Sequence, residues 1–351
     1  MRKEKKDPIR EYGQVLANQL YIISEMSLKR IIDVPTLAEL LKKNVINKEG
    51  VRLLDCSYAV GTKPDWKKFK ADLYGNFKEI LAQPSLSKKM YLLGHLPEAA
   101  FMSFDAALYP SQYERFALYP AELFEKYIQM IGVNQGEHII LYSRGAIGGM
   151  MFSSKAAWLF KSYGHSPDKI SILNGGLERW VRLGHELSKE EVLLPTGNWR
   201  ASDQIEKHNI KFEELENKDG DKAYIERTEE VNFLDARVRQ QFEGTEETGL
   251  DAHRVKGSHI PGFKNAPAVD LINENGELKS FEDIREWFTQ KGYKPNHPVV
   301  TICNTGMQAS MLAHIMEIAV PETSPRVYNG SMKEMEARDP KRIVAGKSQV
   351  P

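Results

Sequence analysis

Cysteine is scarce. Cys56 and Cys303 are the only two in 351 residues, too few for a disulfide framework. That scarcity fits a reducing compartment. Net charge is also missing, with 48 basic residues against 48 acidic ones. No electrostatic case therefore exists for nucleic acid or an anionic membrane as partner. No apolar run approaches the roughly 20 residues of a membrane helix. The opening stretch MRKEKKDPIREYGQ lacks a signal peptide's apolar core and a transit peptide's poverty in acids. A cytoplasmic enzyme is expected, with a mitochondrial one left open although no clear transit peptide is present. No motif calls for a metal ion or a cofactor.

What is present alternates between strand and helix. Residues 1–28 read as an N-terminal arm, with Val15 to Ile23 able to lie on a neighbouring surface. Pro35-Thr36 opens a helix over Leu37 to Lys43, and Val51 to Asp55 reads as a buried strand. A long polar and aromatic excursion follows, to about Met90. Pro120 to Ile131 is amphipathic and closed by Gly132; His138 to Tyr142 is a strand. Ser143 to Met150 is a glycine-rich loop before a helix over Ser154 to Tyr163. Ile170 to Leu173 is a strand, then Asn174-Gly175-Gly176 turns into a helix. This alternation predicts an α/β fold with mainly parallel sheets flanked by helices.

The order then repeats. Residues 188–208 are polar with Pro and Gly, a linker by composition. Beyond them Phe233-Leu234-Asp235 matches Leu53-Leu54-Asp55, and His259-Ile260-Pro261 echoes His95-Leu96-Pro97. Tyr328-Asn329-Gly330-Ser331 echoes Leu173-Asn174-Gly175-Gly176. Two tandem copies are expected: an arm at 1–28, copies at 29–187 and 209–344, and a tail at 345–351.

The strand Val299 to Ile302 leads into Cys303-Asn304-Thr305-Gly306-Met307-Gln308-Ala309-Ser310, and a helix is expected from Met311. Small polar loop residues leave backbone N–H groups free to turn inward. With a helix N-terminus behind them they favour a negative sulfur, the reactive form of cysteine. A buried core cysteine is the plainer reading. The first copy carries Ser143 at the matching place.

These motifs resemble the tandem-domain sulfurtransferases, that is 3-mercaptopyruvate sulfurtransferase and thiosulfate sulfurtransferase (rhodanese). The carrying residues are Leu-Asp-Cys-Ser at 54–57, Leu-Asp-Ala-Arg at 234–237, and the two His-hydrophobe-Pro turns. Asn-Gly-Gly-Leu-x-x-Trp at 174–180 and the cysteine loop complete the set. The resemblance implies two rhodanese-like domains, the first lacking the nucleophile, with the site in the cleft between them. It implies transfer of sulfane sulfur from a small-molecule donor to cyanide or a thiol acceptor, thioredoxin-like acceptors included. It makes Cys303 the nucleophile, Thr305 the loop hydroxyl, and His95 the first domain's contribution to the loop. Arg237 would grip the donor's anionic group, and Gln241 stands where a second such Arg is common. The amides of Asn304, Gly306, Met307 and Gln308 would face the sulfur.

The chain also departs from the pattern. No acid lies between Gln83 and Gly94 to support His95, and Met332 replaces a Trp after the Gly-Ser turn. Arg237 could instead pair with Asp235, and Thr305 could cap a helix. A rhodanese-like phosphatase is disfavoured, because Ala309 stands where phosphate binding needs Arg and the loop has no basic residue. A non-catalytic sulfur carrier or binding module on the same fold is the alternative.

Overall fold

The computed structural model describes residues 28–48, 50–255 and 257–344. The arm (save Leu28) and the tail lie outside them. The first copy is built on five parallel strands: β1 Ile31–Ile32, β2 Val51–Asp55, β3 Ala100–Phe101, β4 His138–Tyr142 and β5 Ile170–Leu173. Their spatial order is β1-β5-β4-β2-β3. The second copy has β6 Asn232–Asp235, β7 Lys264–Asn265, β8 Val299–Ile302 and β9 Arg326–Val327, in the order β7-β6-β8-β9 and again all parallel. The sheets superpose in register: Asp55 pairs with Tyr142, and Asp235 with Ile302. Ser143 and Cys303 therefore leave their sheets at the same point. Strands β2, β6 and β8 are buried at every position, as expected for parallel strands covered on both faces.

The principal helices are α1 Val34–Lys42, α2 Trp66–Asp72, α3 Phe77–Ala82, α4 Leu86–Leu93, α5 Ala121–Met130 and α6 Met151–Ser162. In chain order follow α7 Gly176–Arg182, α8 Arg239–Glu243, α9 Phe281–Gln290, α10 Met307–Ala319 and α11 Ser331–Arg338. Two regions differ from the sequence reading. The excursion before Met90 contains α2, α3 and most of α4. Asp65 and Ser85 cap α2 and α4, accepting from the N–H groups of Lys68 and Lys88. Each helix buries only one or two residues, such as Phe69 or Phe77 and Ile80, so no apolar period shows in the sequence.

The stretch 188–208 is a strap and not a loose tether. Ser188 and His95 exchange main-chain hydrogen bonds, Gly197 N–H donates to Gln129 O, and Trp199 N–H donates to Val133 O. Trp199 is 1% exposed, and its indole donates to His165 Nδ1 at 3.0 Å. A Cβ at Gly197 would sit 1.9 Å from Val133 O, so the strap passes only because that residue has none.

The copies meet through α6 and α10, which pack against each other. Every residue of α6 from Phe152 to Ser162 is buried. One hydrophobic cluster runs through both helices and on into both sheets. Burying a Leu, Ile or Met side chain contributes about 1.5–3 kcal/mol. The shared cluster therefore makes the two copies a single body.

Candidate active site

β8 is Val-Val-Thr-Ile, and the chain leaves the sheet at Cys303. It turns through Asn304 and Thr305 to Gly306, then enters α10 at Met307, four residues earlier than the sequence suggested. Gly306 has φ +80°, and a Cβ there would lie 2.5 Å from Asn329 Oδ1. Only glycine fits that turn. Its N–H donates to Cys303 Sγ at 3.1 Å. Ser331 Oγ accepts from Cys303 N–H at 3.1 Å, while Met332 and Lys333 donate their N–H groups to the carbonyls of Cys303 and Asn304. The loop is thus pinned to the start of α11, and the sulfur sits against the positive end of the 13-residue α10. Cys303 is 2% exposed.

The first copy reaches this loop from behind. Lys155 on α6 is fully buried. Its Nζ donates to Asn329 Oδ1 at 2.6 Å and to Ser310 Oγ at 3.3 Å. Ser310 Oγ in turn donates to Gly306 O at 2.7 Å. Asn329 Nδ2 donates to Glu114 Oε1 at 2.9 Å and to Phe116 O at 2.7 Å. Burial pushes the Lys155 ammonium down to about 7, against the pull of the Cys303 and Glu114 charges. Burial, with Glu334 nearby, pushes the Glu114 carboxyl up to about 7. Lys155 and Glu114 were not singled out in the sequence, and Ser310, Asn329 and Ser331 figured there only as parts of motifs. The one signal was a lysine set among Ala, Trp and Leu in Lys155-Ala-Ala-Trp-Leu.

The expected site residues divide. Arg237 is fully buried and engaged by Asp235, with Nε at 3.0 and 3.1 Å and Nη2 at 2.6 Å from the carboxylate. Nη2 also donates to Ser258 O at 2.8 Å, and Nη1 is buried with no partner among the described residues. The pairing that the sequence left open is the arrangement found. Gln241 sits half-buried in α8, four residues further on. Thr305 is half-buried and does not cap α10, whose N-cap is Gly306. Asn304 Nδ2 donates to Thr248 O at 3.0 Å. Met307 turns its side chain into the core, while Gln308 stays half-buried.

His95 is placed differently from the expectation that it reaches the cysteine loop. Its ring stacks on Tyr91 at 4.0 Å, and both ring nitrogens face main-chain carbonyls, those of Leu96 and Glu190. No ring nitrogen is left for the loop. His259 repeats the pattern in the second copy, stacked on Phe242 with Nδ1 at Phe242 O. The turn histidines knit each copy to itself. Cys56 is buried, and burial beside Asp55 raises its thiol well above the ordinary range.

In the first copy the counterpart loop is closed. It spans the eight residues from Ser143 to Met150. Ser143 Oγ donates to Gly149 O at 2.5 Å and accepts from Ser153 N–H at 3.1 Å. Arg144 fills the adjacent space, donating to Asp55, Ser57 and the Gly94 carbonyl.

Comparison with known proteins places this geometry. A family model described as the rhodanese-like domain matches residues 37–183 and again 212–338. The Caenorhabditis elegans protein mpst-1, named provisionally as a thiosulfate sulfurtransferase, is 54% identical over 93% of this chain and 100% of its own length. Human 3-mercaptopyruvate sulfurtransferase is 29% identical over 73% of this chain and 82% of its own. Among solved structures, the 3-mercaptopyruvate sulfurtransferase SseA of Escherichia coli aligns with TM-score 0.64 and 24% identity, covering 87% of this chain and 99% of that one.

Proposed function

The chain belongs to the rhodanese-like family and is a sulfurtransferase of the group containing the 3-mercaptopyruvate and thiosulfate enzymes; on that premise we propose that Cys303 carries the transferred sulfur as a persulfide. The observation that carries this reading is the Gly306 N–H directed at Cys303 Sγ over 3.1 Å, at the head of α10. A preorganised donor and a helix N-terminus stabilise negative sulfur before and after transfer.

The thiolate attacks the donor's sulfur. With 3-mercaptopyruvate, a Cys303 S–S bond forms and the donor's S–C bond breaks, its electron pair going to carbon. The proton that began on the donor thiol ends on that carbon, giving pyruvate and the persulfide anion. An acceptor thiol then bonds the outer sulfur and leaves as its own persulfide, returning Cys303 as thiolate. Small thiols and thioredoxin-like proteins both supply the acceptor chemistry.

3-Mercaptopyruvate is the preferred donor over thiosulfate. The loop from Asn304 to Gln308 holds no cation, and Arg237 is already paired with Asp235. Thiosulfate brings two negative charges, and each unpaired charge in a closed cleft costs several kcal/mol, by a rough estimate. Mercaptopyruvate brings one carboxylate and a keto oxygen that neutral donors such as Gln241 and Thr305 satisfy.

The experiment is intact mass after each donor is added without acceptor. Cys303 gains one sulfur, Cys303→Ser gains none, and Cys56→Ser behaves as the parent. kcat/KM with a common thiol acceptor then ranks the donors. A clear preference for thiosulfate overturns the donor assignment. No added sulfur with either donor leaves a binding module.

A further inference from the structure

The sulfur loop has no cation of its own, yet a buried one stands directly behind it. Lys155 Nζ is held by Asn329 Oδ1 at 2.6 Å and Ser310 Oγ at 3.3 Å, and it lies 3.9 Å from the centre of the Trp158 ring. All three partners are neutral. An ammonium enclosed in this way is costly without an anion nearby. Both of its polar contacts lead to the sulfur within one further residue. Ser310 bonds Gly306 O, and Gly306 N–H bonds Cys303 Sγ. Asn329 packs where a Gly306 side chain would be, and Ser331, two residues on, accepts from Cys303 N–H.

We propose that Lys155, supplied by the copy that has no nucleophile, is the positioning cation of the Cys303 site: through Asn329 and Ser310 it sets the sulfur loop, and its charge offsets the negative charge on the sulfur. This rests on Cys303 being the sulfur carrier and extends that reading across the domain interface.

The groups that share its electrostatics are few. Cys303 and Glu114 both raise the proton affinity of Lys155. Behind Glu114 stand Lys63 and Glu334, the latter held by Arg338. On α6 itself, Lys161 is paired with Glu317. Burial brings Lys155 down to about 7, and a negative sulfur at Cys303 pulls the other way, towards the charged ammonium. A persulfide anion holds the proton on Lys155, and loss of the sulfur's charge releases it.

The test reads the thiol without any sulfur donor, so it stays interpretable if the persulfide experiment fails. Cys303 alkylation by iodoacetamide is followed by peptide mass from pH 5 to 10 in the full chain and in Lys155→Gln, which keeps a hydrogen-bond donor and removes the charge. Lys155→Gln is expected to alkylate about tenfold more slowly near neutral pH, with its profile displaced to higher pH. A thermal melt establishes that the variant is folded. Superimposable profiles in a folded variant overturn the proposal. If Lys155→Gln does not fold, the reciprocal measurement decides. NMR of ¹³Cε-lysine-labelled protein follows the Lys155 titration with Cys303 present and in Cys303→Ser. A midpoint about one pH unit lower without the sulfur supports the linkage, and an unmoved midpoint refutes it.

Discussion

Arg237 Nη2 lies 2.6 Å from Asp235 Oδ2, and the two side chains are 0% and 1% exposed. The pair is closed and dry, which makes it a structural element first. Removing one member strands a buried charge, at a cost of about 3–5 kcal/mol. Arg237→Met should therefore lower the unfolding free energy measured in urea by an amount of that order, with donor affinity affected only through the damaged fold. A variant of unchanged stability and a much raised donor KM would instead give Arg237 the donor-gripping role.

Gln241, four residues beyond Arg237, stands on α8, half-buried and neutral. A guanidinium there would form charge-assisted hydrogen bonds to a carboxylate, roughly twice as strong as neutral ones. Gln241→Arg should lower KM for 3-mercaptopyruvate several-fold and leave kcat nearly as it was. Steady-state kinetics with one acceptor read this directly. An unchanged KM would remove Gln241 from the donor's surroundings.

The second copy should fail alone. α10 buries Met311, Leu312 and Ile315 and packs on α6 of the first copy. Removing the first copy uncovers the face of α10 that meets α6, at about 1.5–3 kcal/mol for each large apolar side chain exposed, against a domain's whole stability of about 5–15 kcal/mol. A fragment of residues 209–344 should show no cooperative melt by circular dichroism and should form under about one-tenth of the full chain's persulfide. Full persulfide yield from the fragment would refute a site that needs both copies.

Acid should weaken the fold through histidines. Burial brings His138 down to about 4, and His208 to about 4 as well, from an ordinary 6.5. A lowered folded value means the unfolded chain binds more protons between the two. The contribution is full above about 6.5 and is lost as pH falls through about 4. Glu114, brought up to about 7 from 4.5, works in the opposite sense, gaining as pH falls through about 7. The histidine loss prevails at the acid end, where Glu114 has nothing more to gain. Urea midpoints at pH 7, 5.5 and 4.5 should fall in that order, and His138→Gln should flatten the decline. A slope unchanged in His138→Gln would clear that histidine.

Much of the fold was readable because parallel strands buried on both faces announce themselves. Leu53-Leu54-Asp55 and Phe233-Leu234-Asp235 stand as short apolar runs ending in the same acid, and the duplication follows from them. The helices at 66–93 were unreadable because each buries so little. The strap at 188–208 looked like a linker because its anchoring is main-chain pairing and one Trp199 indole, neither of which leaves a periodic trace. In the site, Cys303 and its loop were visible as a local pattern. Lys155 was not, since a lysine in a helix ordinarily points to water and its partners lie 155 and 174 positions further along. His95 misled for a related reason: the His-x-Pro turn is local, but whether its ring faces the loop or its own copy is a tertiary matter.

The closed loop of the first copy has a consequence for engineering. One exchange at Ser143 would not build a second sulfur site there. Exchanging the Ser143 oxygen for sulfur would press a larger, electron-rich atom against the Gly149 carbonyl that now accepts its proton. Arg144 would still occupy the neighbouring space. A cysteine at 143 would act only with a shorter loop, a displaced guanidinium and a turned side chain, so a second site is a redesign of the whole loop and not of one residue.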